Sequence, residues 1–279
     1  MLLKQMNNKL PALKYGLLFL FVLLLAGCSQ KKQWAHKDTI SLQEQVHPLG
    51  IAENEGAIWI SAPDQKKLIQ INEKGEVLNQ QTDLERPMHI DAAAGKLFAP
   101  LYLEDQVVTI QNGITDTLSI GIEPDAPAAV SVKGDTVAIA DFYNHRIILQ
   151  IRSQTTTFGE KGSGKGQLNY PTDVEISGDK IYVADAYNNR VQVFDTSGKP
   201  LQVIGEKDSI NVATGLTVHK GQLFVADFYN NRILVYNLSG NLTQTLSGHF
   251  DKPTDIRAIG VDLYIPNYGS YSIVRYTLN

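Results

Sequence analysis

A short stretch that recurs along this chain constrains its fold more than any other feature. KIYVADAYNNRVQVFD at 180–195 returns as QLFVADFYNNRILVYN at 222–237 and, further diverged, as TVAIADFYNHRIILQI at 136–151. The aspartates of the three copies are 44 and 42 residues apart. Self-similarity at this period is the signature of supersecondary units that stack on one another.

Each copy predicts two short strands, because runs of β-branched and aromatic residues flank an Asn-rich turn. Further apolar runs, VEI at 174–176 and LQVI at 201–204, raise the number of strands in the repeat to four. Ser-Gly and Lys-Gly pairs mark the turns between these strands. One such sheet cannot bury both of its faces, whereas a closed ring of sheets can, and closure also protects the strand edges.

A six-residue motif at the start of each innermost strand gives the number of units. It reads HPLGIA at 47–52, RPMHID at 86–91, APAAVS at 126–131, YPTDVE at 170–175, VATGLT at 212–217 and KPTDIR at 252–257. The sixth unit reaches residue 279 after three strands, and a lone strand-like stretch at 38–43 supplies the fourth. We therefore predict an all-β fold over residues 38–279: a six-bladed β-propeller of four-stranded antiparallel blades, closed by the N-terminal strand.

The stretch PTDVEISGDKIYVADAYNNRVQVF at 171–194 resembles the NHL repeat, which builds β-propellers. Blades three to five carry this resemblance strongly, and the other three keep its length and strand pattern. The resemblance implies the fold. It says little about function, because NHL propellers include binding platforms and a few lyases.

Residues 1–27 have the organisation of an export signal. Three lysines precede the apolar run GLLFLFVLLL at 16–25, which is short for a membrane span. The ending Leu25-Ala26-Gly27-Cys28 resembles the lipobox of bacterial lipoproteins. The resemblance implies cleavage before Cys28, lipidation of Cys28 and sorting to the outer membrane. We expect residues 28–37 to be a polar tether, and the protein to be lipid-anchored in the bacterial cell envelope.

Composition limits the possible partners. Without the leader and its three lysines, the chain has a net charge of −7, which argues against a nucleic-acid partner. Cys28 is the single cysteine, so no disulfide can form within the chain. We expect a monomer held together by its apolar core.

Two columns of the aligned repeats predict ion pairs within blades. Asp and Arg occur together in blades three to five and are both absent from the other three blades. Paired retention fits a structural contact, because losing one partner leaves a buried charge unpaired. The predicted pairs are Asp141–Arg146, Asp185–Arg190 and Asp227–Arg232.

A third column predicts a polar cluster in the central channel. The fourth position of the inner-strand motif is His89 in blade two, Asp173 in blade four and Asp255 in blade six. One imidazole and two carboxylates suit a divalent metal. Propeller lyases and lactonases of this general type place a metal in the channel, so a metal-dependent lyase or lactonase is the alternative function. A local backbone role for the two aspartates is the competing interpretation, and we favour a protein without a metal or other cofactor.

The favoured function is binding rather than catalysis. Tyr143, Tyr187 and Tyr229 occupy matching loops of consecutive blades on the face that holds the channel cluster. Tyrosine is enriched at binding hot spots, and we expect a continuous arc. The adjacent Asn144, Asn188 and Asn230 would supply hydrogen bonds. The predicted partner is a protein, peptide or glycan of the envelope. The competing interpretation is that the tyrosine rings only pack against neighbouring blades.

Overall fold

Six four-stranded antiparallel sheets account for nearly all of the regular structure in residues 32–279, the part of the chain that this computed structural model describes. In five sheets the strands follow one another in chain order, and the sixth recruits a strand from the N-terminal side. The predicted six-bladed β-propeller is therefore confirmed. The predicted signal peptide, Cys28 and the start of the tether lie outside the described residues.

Each of blades one to three contains four consecutive strands. Blade one consists of β2 (Ile51–Asn54), β3 (Ala57–Ala62), β4 (Lys67–Ile71) and β5 (Val77–Gln81). Blade two consists of β6 (Asp91–Ala93), β7 (Lys96–Leu101), β8 (Gln106–Gln111) and β9 (Ile114–Thr117). Blade three consists of β10 (Pro127–Lys133), β11 (Thr136–Asp141), β12 (Arg146–Ile151) and β13 (Gln154–Phe158).

Blades four and five repeat this order, and blade six is completed by β1. Blade four consists of β14 (Pro171–Ser177), β15 (Lys180–Asp185), β16 (Arg190–Asp195) and β17 (Pro200–Ile204). Blade five consists of β18 (Ala213–His219), β19 (Gln222–Asp227), β20 (Arg232–Asn237) and β21 (Leu242–Ser247). Blade six consists of β22 (Arg257–Ile259), β23 (Asp262–Asn267), β24 (Ser272–Leu278) and β1 (Trp34–Ser41). Single 3₁₀ turns span Pro63–Gln65, Ala186–Asn188 and Tyr268–Ser270.

In blades four and five, the turn between the second and third strands ends on an asparagine in left-handed backbone. In blade four, Asn189 ends the 3₁₀ turn between β15 and β16 with a φ of 55°. Its backbone N–H donates to the carbonyl of Ala186 at 3.0 Å. Asn adopts this conformation at little cost, which is why the YNN segment joins the two strands.

The closing strand is longer at its N-terminal end than the sequence predicts. The sequence predicts a tether up to residue 37 and a strand over 38–43, but β1 covers Trp34–Ser41 and pairs with β24 on both sides of a bulge at Lys37. Trp34 is buried, and its ring meets Phe224 of blade five edge-on at 5.3 Å. Residues 34–37 therefore belong to the propeller.

The core consists of six apolar clusters, one in each seam between neighbouring blades. The seam between blades six and one is filled by residues of both ends of the described chain, including Ile40 from β1 and Ile273 from β24. Burying these faces against each other is the main source of stability, because a lone blade leaves both faces wet. No helix within residues 32–279 is long and apolar enough to cross a membrane.

Candidate functional site

The structure brings together the three polar residues predicted for the central channel. His89, Asp173 and Asp255 are all buried, and their possible ligand atoms lie within 4.8 Å of one another. The Nδ1 atom of His89 is 3.5 Å from Oδ2 of Asp255. Apart from this charge contact, the buried Nδ1 makes no hydrogen bond to any residue of 32–279. We call these three side chains the channel cluster.

Both aspartates of the channel cluster hold two neighbouring blades together. Oδ1 of Asp173 accepts the N–H of Val174 at 2.8 Å, and Oδ2 accepts the N–H of Leu216 in blade five at 2.7 Å. Asp255 repeats this arrangement, accepting the N–H groups of Ile256 at 2.7 Å and of Ile51 in blade one at 3.0 Å. The local backbone role considered from the sequence is therefore present, and it extends across the seams.

Small residues in the odd-numbered blades let these side chains converge. The same motif position is Gly50 in blade one and Gly215 in blade five. A Cβ atom at Gly50 would lie 2.8 Å from Cα of His89, and one at Gly215 would lie 2.7 Å from Cα of Asp255. Such contacts are too close, so glycine is needed where the inner strands approach each other.

A second polar layer lies two residues further along the same inner strands. It consists of Asp91, Glu175 and Arg257, again from blades two, four and six. Asp91 accepts the N–H of Val132 in blade three at 2.7 Å. Glu175 likewise accepts the N–H of Val218 in blade five at 3.0 Å. These two carboxylates, together with Asp173 and Asp255, each bond to the next blade, and we call the four the inter-blade carboxylates.

Burial and mutual charge shift the ionisation of these groups. Burial alone would lower the pKa of His89, but the carboxylates of Asp255 and Asp173 outweigh it and raise the pKa. Burial raises the pKa of Asp173, although the charge of His89 opposes this. Burial also raises the pKa of Glu175, to about 7, against the lowering effect of Arg257. The channel therefore retains protons near neutral pH.

The inner cavity between the two layers is very small. It has a volume of about 20 Å³ and is bordered by all six polar residues of the two layers. This volume holds one water molecule or one ion. The donor set and the unpaired Nδ1 of His89 fit a divalent cation, but a proton on His89 would compete with it. No substrate fits beside a cation in this cavity.

A much larger space, the mouth pocket, opens above the channel cluster. Its volume is about 340 Å³, within the range of pockets that bind small ligands. His89 borders both the mouth pocket and the inner cavity, so it separates the two spaces. The mouth pocket is lined by Leu49, Arg86, Met88, His89, Tyr102, Ala128, Phe142, Thr172, Thr214, Phe228, Thr254 and Tyr268.

The walls of the mouth pocket are mainly apolar and aromatic. Its threonine hydroxyls are already engaged in the seams, where Thr172 donates to the carbonyl of Ala213 at 2.9 Å. Thr214 donates to Pro253 at 3.1 Å, and Thr254 donates to Leu49 at 2.8 Å. The side chains that can offer charge to a ligand there are Arg86 and His89.

The predicted tyrosine arc is exposed but does not line this pocket. Tyr143, Tyr187 and Tyr229 have 49%, 59% and 60% of their surface exposed. Tyr170 links the first two, with ring centroids 6.1 Å from Tyr143 and 5.0 Å from Tyr187. Tyr229 contacts Phe228 instead, at 4.9 Å, so the aromatic contacts do not form the expected continuous arc.

The three neighbouring asparagines have internal roles that the sequence analysis did not anticipate. Their side-chain amides donate to the Asp of the same blade: Asn144 to Asp141, Asn188 to Asp185 and Asn230 to Asp227. These N–H groups are therefore not free for a partner in this conformation, because each is already shared with a buried carboxylate.

In blades three, four and five, the aspartate of the Asp column contacts the arginine of the same blade. The Nε–Oδ2 distances are 2.6 Å for Arg146–Asp141, 2.8 Å for Arg190–Asp185 and 2.6 Å for Arg232–Asp227. Each aspartate also accepts a backbone N–H from the loop before its inner strand, from residues 125, 169 and 211. These residues stabilise the blades and lie apart from the mouth pocket.

Sequence reasoning missed the residues that form the pocket walls. The position directly before the Tyr column is aromatic in four blades, as Tyr102, Phe142, Phe228 and Tyr268. The aligned repeats therefore contain four aromatic residues at this position and three in the Tyr column. The larger number could have identified the pocket walls from the sequence. Arg86 was also missed. It precedes Pro87 with a φ of 59° and is the charged residue of its motif position that lines the pocket.

Comparisons with known proteins agree with this fold. Residues 168–194 match the model of the NHL repeat, and the chain is a six-bladed β-propeller that carries this repeat. No curated protein matches the sequence. Among solved structures, a streptogramin B lyase is similar, with a TM-score of 0.66 and 12% identity over 89% of this chain and 98% of that one.

Two further solved structures are similar to this chain, both of virginiamycin B lyase from Staphylococcus aureus. The selenomethionine-substituted enzyme has a TM-score of 0.65 and 17% identity, covering 88% of each chain. The catalytically inactive variant with quinupristin has a TM-score of 0.64 and 18% identity, covering 87% of this chain and 85% of that one. At these identities the similarity establishes the fold alone.

Proposed function

We propose that this protein is a lipid-anchored extracytoplasmic binding module whose mouth pocket receives part of an envelope partner. The observation that carries the proposal is the mouth pocket itself: about 340 Å³ of mainly apolar space at the centre of one face. Its aromatic walls suit an apolar side chain of a peptide or protein better than a sugar, because they offer few free hydrogen-bonding groups.

The proposed location in the cell envelope is supported by residues 1–27, which have the organisation of an export signal. Lipidation of Cys28 would anchor the propeller, and the residues between Cys28 and Trp34 are too few to hold it far from the membrane. The proposed compartment is the cell envelope, at the outer membrane if the cell has one. We also propose that the protein acts as a monomer and binds no nucleic acid.

A pair of adjacent aromatic residues tests the binding site. Phe228 lines the mouth pocket and Tyr229 does not. We expect the neutral fluorophore N-phenyl-1-naphthylamine to bind the wild-type protein and the Tyr229→Ala variant. Phe228→Ala should weaken binding about tenfold or more, as loss of an aromatic anchor does. Envelope peptides should displace the dye. Equal affinity for the dye in both variants would place the site elsewhere.

The second candidate is a metal-dependent lyase or lactonase. It is favoured by the channel cluster and by the fold shared with the streptogramin and virginiamycin lyases. It is disfavoured by the inner cavity, which is too small for a substrate, and by the seam bonds of Asp173 and Asp255. Elemental analysis separates the candidates. One equivalent of zinc or calcium that survives dialysis and is lost in His89→Ala would support the enzyme.

A further inference from the structure

We infer that the ligand of the mouth pocket carries a carboxylate beside its apolar group, and that Arg86 binds this carboxylate. The inference rests on the proposed function and specifies its ligand. The reason is the one-sided charge of the pocket. Arg86 is the basic lining residue that has no acidic partner among residues 32–279, whereas His89 is compensated by Asp255 at 3.5 Å, and no lining residue is acidic. A neutral ligand would leave this charge unused, and a cationic ligand would be repelled by it.

Arg86 is positioned as a free cation at the rim. Its guanidinium lies 5.4 Å from the centroid of the Tyr102 ring, which orients it without neutralising it. Within residues 32–279, Arg86 forms no salt bridge. The adjacent Glu85 pairs with Lys66 at 2.8 Å instead. Arg86 therefore has its planar set of donors available for a carboxylate.

Two acidic groups, Asp64 and Asp125, lie near the aromatic rim, and neither lines the mouth pocket. Asp64, the acid at the Tyr268 side of the rim, accepts the hydroxyl of Tyr268 at 2.7 Å. The carboxylates that face His89 border the inner cavity and not the mouth pocket. An incoming carboxylate therefore meets an aromatic wall and a free guanidinium, and the protein supplies no competing carboxylate along the pocket lining.

Two sources can present this chemistry: the C-terminal residue of a peptide and a free organic acid. Three probes distinguish them. N-acetyl-phenylalanine has an aromatic side chain, an amide and a free carboxylate. 3-Phenylpropionate keeps the ring and the carboxylate but lacks the amide. N-acetyl-phenylalaninamide keeps the ring and is neutral. Their dissociation constants are measured by NMR titration of the full-length chain, at low and high salt.

The inference predicts that both acids bind about tenfold more tightly than the neutral amide at low salt, because hydrogen bonds to charged groups are worth this much. High salt should reduce this preference. The Arg86→Gln variant should lose the preference. The matched variant Lys252→Gln should keep it, because Lys252 occupies the same motif position in blade six but does not line the mouth pocket.

Each outcome has a defined meaning. Tighter binding of N-acetyl-phenylalanine than of 3-phenylpropionate supports a peptide C terminus, and equal or weaker binding supports a free organic acid. Equal affinity for the acids and the amide, or an unchanged preference in Arg86→Gln, overturns the inference. So does a lack of binding by all three probes. In those cases the proposed function still stands if the neutral dye depends on Phe228, so the two failures are distinguishable.

Discussion

Arg257 of blade six donates from Nη2 to Oδ1 of Asp91 in blade two at 2.6 Å, and this ion pair crosses the channel past blade one. Glu175 completes the same layer and forms no salt bridge with an arginine of residues 32–279. The charge of Arg257 acts on Glu175 from a greater distance and does not overcome the effect of burial. The layer thus holds one ion pair and one carboxyl group that is readily protonated.

The raised pKa of Glu175 predicts that stability falls with rising pH. Its folded-state pKa of about 7 exceeds its ordinary value of 4.5, so the folded protein retains a proton that the unfolded chain has lost. This contribution is complete below pH 4.5 and is lost as the pH rises to about 7. We expect Glu175→Gln to remove this pH dependence, because glutamine does not titrate. The free energy of unfolding should then change by about 1 to 2 kcal/mol less over this pH range, since Glu175 is only half-buried and water screens its charge. Thermal unfolding between these pH values measures the effect, and parallel profiles for wild type and variant would contradict it.

The within-blade ion pairs should differ in strength. Arg190 is almost fully buried, and besides Asp185 it bonds to Glu206 and to the carbonyl of Gly164. Arg146 has 28% of its side chain exposed and bonds only to Asp141 among the described residues. Both Arg190→Met and Arg146→Met leave a fully buried aspartate without its arginine, so both should destabilise the fold. We expect Arg190→Met to cost about 2 kcal/mol more, because the extra hydrogen bonds of Arg190 are lost as well. Urea unfolding of both variants tests this order, and the reverse order would be inconsistent with this argument.

The start of the closing strand gives a test of ring closure. Trp34 is 3% exposed and donates from Nε1 to Gln222 of blade five at 2.8 Å. We expect Trp34→Ala to lower the free energy of unfolding by about 3 kcal/mol or more, as truncation of a buried aromatic residue does. Lys32→Ala, which changes an exposed residue before the strand, is the control. Equal melting temperatures for the two variants would restore the original assignment of Trp34 to a tether.

Lipidation of the chain remains a prediction, and a substitution of Cys28 tests it, because Cys28 is the single cysteine. If Cys28 is the acyl acceptor, as we propose, Cys28→Ala should abolish acyl labelling and leave the chain unprocessed or released from the membrane, because the sequence contains no other cysteine. Palmitate labelling followed by membrane fractionation measures both effects. Label that persists in the variant would rule out this anchor, without affecting the fold or the mouth pocket.

The repeated stretch predicts the fold well because turn residues and strand patterns recur at one period. The first half of β1 was not predicted as a strand, and there is a physical reason for this. The register against β24 shifts between His36 and Asp38, so the alternation of buried and exposed residues is interrupted there. A pattern with period two therefore identifies the part after the bulge and misses Trp34 before it.

The candidate site was only partly predictable. The channel cluster follows from aligned inner strands, because equivalent positions must converge on one axis. The mouth pocket depends on which of two successive loop residues turns inward, and backbone geometry decides this: Phe142 lines the pocket, whereas the next residue, Tyr143, is half exposed. The internal role of Asn188 could not be predicted either, because it depends on the turn bringing its side-chain amide within 2.9 to 3.0 Å of the Asp185 carboxylate.

The inter-blade carboxylates add side-chain bonds to three of the six seams and so link the blades in three pairs, which we call modules. Asp91 joins blade two to blade three, and Asp173 joins blade four to blade five, so two modules are continuous in the chain. The third joins Asp255 of blade six to Ile51 of blade one, across 204 residues. This last bond can form only after the chain has come full circle. We therefore expect the Ile51 amide to gain protection from hydrogen exchange later in folding than the amides of Val132 and Leu216, whose modules are continuous in the chain.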